Sequence, residues 1–293
     1  MKLSIVIATH RRPESLARLI ASLAPQPRPG KEEIFVAENG APEPLELDLR
    51  AIAPGIEVAR IYDPRPGKCR VQNRAIARAR GAIIACLDDD LTVAPDYVAA
   101  VERFFDEFPQ YAAMKGRILP AEDPREKAGA MAPYLDLPIA DHGDATIEVR
   151  GVLGANMAFR ADALRAAGPF DERLGPGACG HEEETEMARR LTRAGYRIGY
   201  APKALALHEV DPARADRARF IRIARERGFC RTLHERHTPG EALVKQAVAA
   251  ARLAIARIAG ASVERIAREE RRLAIARGMR DGVRTKGAPS TES

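Results

Sequence analysis

The run IIACLDDD, residues 83 to 90, sets five mostly apolar residues directly before Asp88, Asp89 and Asp90. Two carboxylates about 4 Å apart repel by roughly 4 kcal/mol at an effective dielectric of about 20. Acids gathered at one strand end therefore need a hard cation or free access to water. A site for a divalent metal and phosphate is the first reading of this stretch.

The rest of the chain repeats the strand-then-helix pattern. Residues 3–8, LSIVIA, read as a strand, and Pro13 opens a helix with Leu16, Leu19, Ile20 and Leu23 on one face. EIFVAENG is a second strand, closing on Glu38, Asn39 and Gly40; IEVARIYD is a third, and residues 68–80 read as a helix stopped by Gly81. After the acids, Pro95 starts a helix carrying Val98, Val101, Phe104, Phe105 and Phe108. Such alternation predicts an α/β fold with a mainly parallel sheet flanked by helices. Ligands of these sheets sit at the carboxyl ends of strands, where Thr9, Glu38 and the three aspartates fall.

Residues 119–150 have weak periodicity and read as a long loop or lid. GVLGANMAFR predicts a strand, ADALRAAG a short helix, residues 182–194 a helix, and RIGY with ALALH a β pair ending in His208. Helical pattern resumes near residue 216 and lasts to about 283, broken at Pro239–Gly240 and at Gly260. In its middle part Val244, Val248, Ala251, Ile255 and Ile258 form one apolar stripe, with Lys245 and Arg252 on the other face. The expected organisation is a catalytic domain over residues 1–215, a basic helical extension over 216–284 and a disordered tail over 285–293.

The basic character belongs to the extension. Residues 216–293 hold 18 Lys/Arg against nine Asp/Glu, although the whole chain is only +6. Such a tail reads either as a solvated face packed on the catalytic domain or as an amphipathic helix docked on anionic lipid. It has few aromatic side chains for stacking on bases, so nucleic acid is not expected as a partner. Cys69, Cys86, Cys179 and Cys230 lie far apart without metal-ligand spacing; neither zinc nor a disulfide framework is expected, and a reducing cytoplasm fits. The N-terminal apolar run is too short for a signal peptide, and no stretch reaches about 18 charge-free apolar residues.

Taken in order, these segments resemble the family 2 glycosyltransferases of GT-A fold. SIVIATHRRPESLARLIASL is similar to their opening strand and helix, and ENG to their acid-Asn-Gly turn. GKCRVQNRAIARARGAIIACLDDD resembles their Asn-containing helix leading into the DXD motif, and GANMAFRADALRAAGPFDERL their acceptor-side segment. HEEETEMARRLTRAGYRIGYAPKALALH resembles their Glu-Asp helix and terminal His.

The resemblance implies inverting transfer of a sugar from a UDP-, GDP- or dTDP-linked donor to an acceptor hydroxyl, assisted by Mn2+ or Mg2+. The acceptor would be a polysaccharide, a lipid-linked molecule or a small molecule. Thr9 and Glu38 would contact the base, Lys68 and Asn73 would lie near the nucleotide, and Asp88 and Asp89 would face ribose and phosphate. Asp90 and His208 would hold the metal, and Gly154 and Asn156 would touch acceptor or donor sugar.

The family's Glu-Asp pair is matched here by Glu183 and Glu184, which makes the second acid one methylene longer. Glu184 shares a helical face with Met187, Ala188 and Leu191, whereas Glu183 groups with Glu186 and Arg190, so Glu184 is preferred over Glu183 as general base. The dipole of the helix would lower the carboxyl pKa values of this acid-rich start, and mutual repulsion would raise them. Among rivals, a sugar nucleotidyltransferase would show a Gly-rich basic loop after the first strand, and ATHRRPES has no glycine. A Rossmann dehydrogenase would need G-x-G-x-x-G. A non-catalytic binding or scaffold protein of the same fold is the third alternative, with Glu184 as its hint.

Overall fold

A computed structural model describes residues 2–26, 28 and 31–287. In chain order the elements are β1 (Leu3–Thr9), α1 (Pro13–Leu23), β2 (Glu32–Asn39), α2 (Leu49–Ile52), β3 (Glu57–Asp63), α3 (Lys68–Arg78) and β4 (Ile83–Asp88). There follow β5 (Leu91–Val93), α4 (Tyr97–Glu107), β6 (Tyr111–Pro120), α5 (Pro124–Ala128), β7 (Ile147–Val149), β8 (Asn156–Arg160) and α6 (Ala161–Ala167). The chain continues through α7 (Glu183–Arg193), β9 (Arg197–His208), α8 (Arg217–His234), α9 (Pro239–Ile258) and α10 (Val263–Gly287).

The strands form one sheet in the order β3-β2-β1-β4-β8-β6-β9-β5, with β7 added beside β9. β1, β2, β3 and β4 are mutually parallel, and β8 runs antiparallel between β4 and β6. Strand order reverses between β1 and β4, and this opens a crevice at their carboxyl ends. Register aligns the chemistry there: Thr9 pairs with Glu38, and Ala8 with Asp88.

Alternation along the buried strands feeds two apolar layers. Leu3, Ile5 and Ile7 pack toward α1 and α4, with Leu16, Leu19, Ile20, Val101 and Phe104. Val6, Phe35 and Cys86 pack toward α3 and α7, with Val71, Met187 and Leu191. α1 starts at Pro13 and buries the four residues that its 3.6-residue period predicts.

Several elements differ from the sequence expectation. YAAMKGRILP, for which no element was read from the sequence, is a central strand, and within it Gly116 leaves room for the buried Asn156 amide that a Cβ would overlap. RIGY and ALALH are one continuous strand, β9, whose pairing with β6 shifts register near Pro202. The 119–150 segment is partly ordered: it holds α5, a 3-10 turn over Gly129–Tyr134, a bridge from Ile118 to Ala140, and β7. Cys179 and Cys230 form a disulfide across 51 residues, contrary to the expectation from spacing, because the fold lays α8 against the loop before α7. α10 runs to Gly287, and the rest of the expected disordered tail lies outside the described residues.

α8 and α10 cross closely, and α9 packs on α10 through Ala249 and Leu253 against Leu273 and Ala276. The apolar stripe expected on α9 is real but faces outward: Val244, Val248, Ile255 and Ile258 are exposed, while Ala242, Ala249, Leu253 and Ala256 are buried. No helix among the described residues is long and apolar enough to cross a membrane.

Candidate active site

The β1/β4 crevice opens into a cavity of about 340 Å³ lined by Thr9, His10, Arg12, Asn39, Lys68, Asp88, Asp89, Asp90 and Gly177, among others. The three aspartates are held in three ways. Asp88 accepts from Lys68 Nζ at 2.6 Å. Asp89 accepts from the Thr9 hydroxyl at 2.6 Å and from Arg12 at 3.0 Å. Asp90 accepts from Arg12 at 2.9 Å and Arg214 at 3.2 Å, and lies 3.3 Å from His208 Nε2.

Position sets their electrostatics. Burial raises the Asp88 and Asp89 carboxyls, and for Asp88 the attraction of Lys68 offsets only part of it. Burial would raise Asp90 too, yet the bond and charge of His208, with Arg12 and Arg214, hold it well below the usual carboxylate range. Burial favours neutral His208, but its contact with Asp90 outweighs this and raises it. His208 Nδ1 lies 2.7 Å from the Glu209 carbonyl; a proton donated there leaves Nε2 directed at Asp90.

A buried carboxylate beside an imidazole, open to a cavity of nucleotide size, is a donor set that suits Mn2+ or Mg2+ with phosphate oxygens completing the shell. Arg12 and Arg214 pair with Asp90 as well and offset its charge. Neither arginine was expected from the sequence. The signal for Arg12 was its place three residues after Thr9 at a strand end; Arg214 had none.

A second cavity, of about 220 Å³, adjoins the first and shares Lys68, Asp88 and Pro176 with it. Its walls include Asp136, Gly154, His181, Glu182, Glu183, Glu184 and Arg227. Glu183 is buried with Oε1 3.4 Å from Lys68 Nζ, so it does not share the outer face of Glu186 and Arg190 as its helical phase predicts. Lys68, enclosed by Asp88 and Glu183, would be lowered by burial; the two carboxylates reverse this and hold its ammonium well above the ordinary lysine value.

Glu184 lines the same cavity; it accepts from the Thr185 hydroxyl at 3.3 Å and forms no ion pair among the described residues. Burial, reinforced by the Glu183 charge, pushes its carboxyl up to about 8, so desolvation and repulsion prevail over the helix dipole.

The C-terminal helices shape this second cavity. Arg227 of α8 reaches into its wall and pairs with Asp136 at 2.7 Å. Arg231 and His234 meet Glu182 at 2.8 and 3.3 Å, and the Cys179–Cys230 bridge ties the same loop to α8. No sequence motif pointed to Asp136, Arg227 or Arg231.

Four expected site residues do not line the cavities: His208, which is buried and reaches Asp90 from the end of β9, and three that stand further apart. Glu38 is buried against Arg60 Nε at 2.9 Å and accepts from the Leu45 N–H, while its neighbour Asn39 forms the cavity wall. Asn73 exchanges two 2.9 Å hydrogen bonds with the Phe170 backbone and so fastens α3 to the segment before α7. Asn156 is fully buried, accepting from Tyr97 and donating to the carbonyls of Arg117 and Ala204; it ties three strands together and faces no cavity. Gly154 does line the second cavity, close to Glu183, Lys68 and Glu184.

Comparison with known proteins agrees with this architecture. The model of the family described as Glycosyl transferase family 2 matches residues 4–167. The chain is 25% identical over 232 residues to the glucosyl-dolichyl phosphate glucuronosyltransferase of Haloferax volcanii, covering 72% of this chain and 70% of that protein. It is 28% identical over 244 residues to the succinoglycan biosynthesis protein ExoM of Rhizobium meliloti, covering 78% and 72% respectively. The mannosyltransferase PcManGT of Pyrobaculum calidifontis, solved with GDP-Man and Mn2+, superposes with a TM-score of 0.59 at 18% identity, covering all of this chain and 76% of that one. By the match over more than half its length and by the fold that carries it, the chain belongs to glycosyl transferase family 2, with a GT-A fold and C-terminal helices α8–α10.

Proposed function

We propose that this protein transfers a sugar from a nucleoside-diphosphate sugar to an acceptor hydroxyl with inversion, and that residues 1–215 form the catalytic domain. The observation that carries the reading is the meeting of two cavities at Asp88 and Lys68: one holds the aspartate cluster, the other an unpaired glutamate. A donor in the first and an acceptor in the second would meet across that boundary.

Thr9 and Asn39 would bound the nucleotide, with Glu38 behind them keeping Arg60 and the β2 end in place. Asp88 and Asp89 would face ribose and phosphate. Asp90 and His208 would hold Mn2+ or Mg2+, which when bound would offset charge on the departing diphosphate. Glu184 takes the proton of the acceptor hydroxyl as that oxygen attacks the anomeric carbon. The new C–O bond forms on the face opposite the phosphate, the bond to the diphosphate oxygen breaks, and the nucleoside diphosphate leaves with the electron pair. A carboxyl held near neutrality suits this work, because a general base functions best when its pKa lies near the working pH. Lys68 offsets the charge of Glu183 and links it to Asp88 across the wall between the cavities.

Similar proteins support a nucleotide-sugar donor: PcManGT was solved with GDP-Man, and S. aureus TarS with UDP-GlcNAc. The names of the curated relatives support a glycan or lipid-linked acceptor. A thermal-shift screen of UDP-, GDP- and dTDP-sugars with Mn2+, followed by nucleoside diphosphate release, tests the reading. One donor should raise Tm and turn over, and Asp90→Asn should lose both Mn2+ dependence and turnover while keeping the fold. An Asp90→Asn protein with full turnover at saturating Mn2+ would sink the metal assignment; nucleotide binding without any release would favour a non-catalytic binding protein.

A further inference from the structure

Glycosyl transfer makes no use of the outer face of α9. Leu243, Val244, Val248, Ile255 and Ile258 stand 58, 62, 47, 60 and 88% exposed on it, and the outward positions between them are the exposed alanines 247, 251 and 254. No polar side chain interrupts this face for roughly four turns. Lys245 and Arg252 border it on one edge; Arg257, on the other, is paired with Glu270 at 2.8 Å. Lys245 and Arg252 are exposed and form no ion pair among the described residues.

We propose that α9 is an in-plane membrane-docking helix whose outer face enters the interfacial layer of an anionic bilayer. An uninterrupted apolar face bordered by cations that can reach up to headgroups is the form such helices take. Since no described helix can span a bilayer, the helix lies on the membrane rather than through it.

Charge selects lipid over a second copy of the chain. Two α9 faces paired antiparallel would set the unpaired Lys245/Arg252 edge against itself, and paired parallel would set it against an edge whose one cation, Arg257, is already held by Glu270 and which offers no free acid. Glu241 is the single acid in the helix, too few to compensate either arrangement. An anionic surface complements the same cations and the excess of Lys/Arg over the whole segment. α9 also rests on α10 rather than on the catalytic sheet, so its outer face is free to meet a plane.

The test is co-sedimentation of the full chain with vesicles of phosphatidylcholine and phosphatidylglycerol in a roughly 7:3 ratio, and with phosphatidylcholine alone. The wild type should pellet with the anionic vesicles and release at high salt. Val248→Asp with Ile255→Asp should weaken binding by at least about tenfold without changing Tm or nucleoside diphosphate release. Lys245→Gln with Arg252→Gln should reduce binding and its salt dependence. Failure of the wild type to pellet at low salt, or undiminished binding of the Asp variant, overturns the proposal. So does a vesicle-free dimer, seen in sedimentation velocity, that the Asp variant dissociates. Donor turnover measured in parallel separates this outcome from failure of the proposed reaction.

Discussion

In the proposed reaction Glu184 is the general base. Its ordinary value is 4.5, and burial with the adjacent Glu183 charge holds it at about 8. Between those values the folded chain keeps a proton that the unfolded chain releases. The contribution of this group to stability is therefore full below about 4.5 and is lost as pH rises through about 8. In the proposed reaction its capacity as a base would change in the opposite sense over the same window. Turnover at saturating donor should accordingly climb with pH and level off above about 8, as a pH–rate profile would register. Glu184→Gln should lower kcat by roughly 10²- to 10⁴-fold and leave donor Kd, measured by titration calorimetry, unchanged. A Gln variant with undiminished kcat would move the base to another group.

At the scale of elements, the start of α7 is held from outside the catalytic sheet. Glu182, at its N-cap, has φ +77°, a left-handed backbone that costs a non-glycine residue about 1–2 kcal/mol. Burial alone would raise its carboxyl, but bonds from His234 and Arg231 outweigh that and hold it at about 2. α8 thereby fixes the turn that aims Glu183 and Glu184. Removal of one support should disturb aim more than donor binding: Arg231→Ala is expected to lower kcat by roughly ten- to hundredfold with little change in donor KM. Steady-state kinetics with the donor varied measures the split, and a rise in donor KM at unchanged kcat would contradict the positioning role.

In the overall assembly the C-terminal helices meet the sheet-bearing part of the chain through α8 and, at Tyr134, Asp136 and Arg125, through α10, and α8 packs closely on α10. Their helices cross where Gly228 and Gly278 carry no side chain; a Cβ at Gly278 would overlap the Arg225 carbonyl, and one at Gly228 the Ile275 carbonyl. Gly278→Val should force the helices apart and cost about 1–3 kcal/mol, read as a lower denaturation midpoint. Because Arg227 and Arg231 ride on α8, turnover should fall as well, although Gly278 touches neither cavity. A variant less stable but fully active would mean that α8 keeps its place without α10.

The parallel core, the strand ends that bear Thr9 and the aspartates, and the helical nature of the C-terminus were legible in the residue order. These follow from local period: apolar runs and 3.6-residue faces specify elements, and strand ends of a parallel sheet share one edge. Which polar residues face a cavity follows instead from how distant segments pack. Glu38 and Asn39 are adjacent in β2 and point to opposite sides, and Asn156 is held by carbonyls from two strands distant in sequence. Arg214, Arg227 and Arg231 reach the cavities, or the turn beside them, from segments remote in sequence, and the Cys179–Cys230 pair closes across 51 residues. The stripe on α9 was visible as a pattern, but a pattern of apolar residues does not say which side the rest of the molecule occupies. α10 takes the alanine- and leucine-bearing side, and that choice leaves the larger apolar side chains facing solvent.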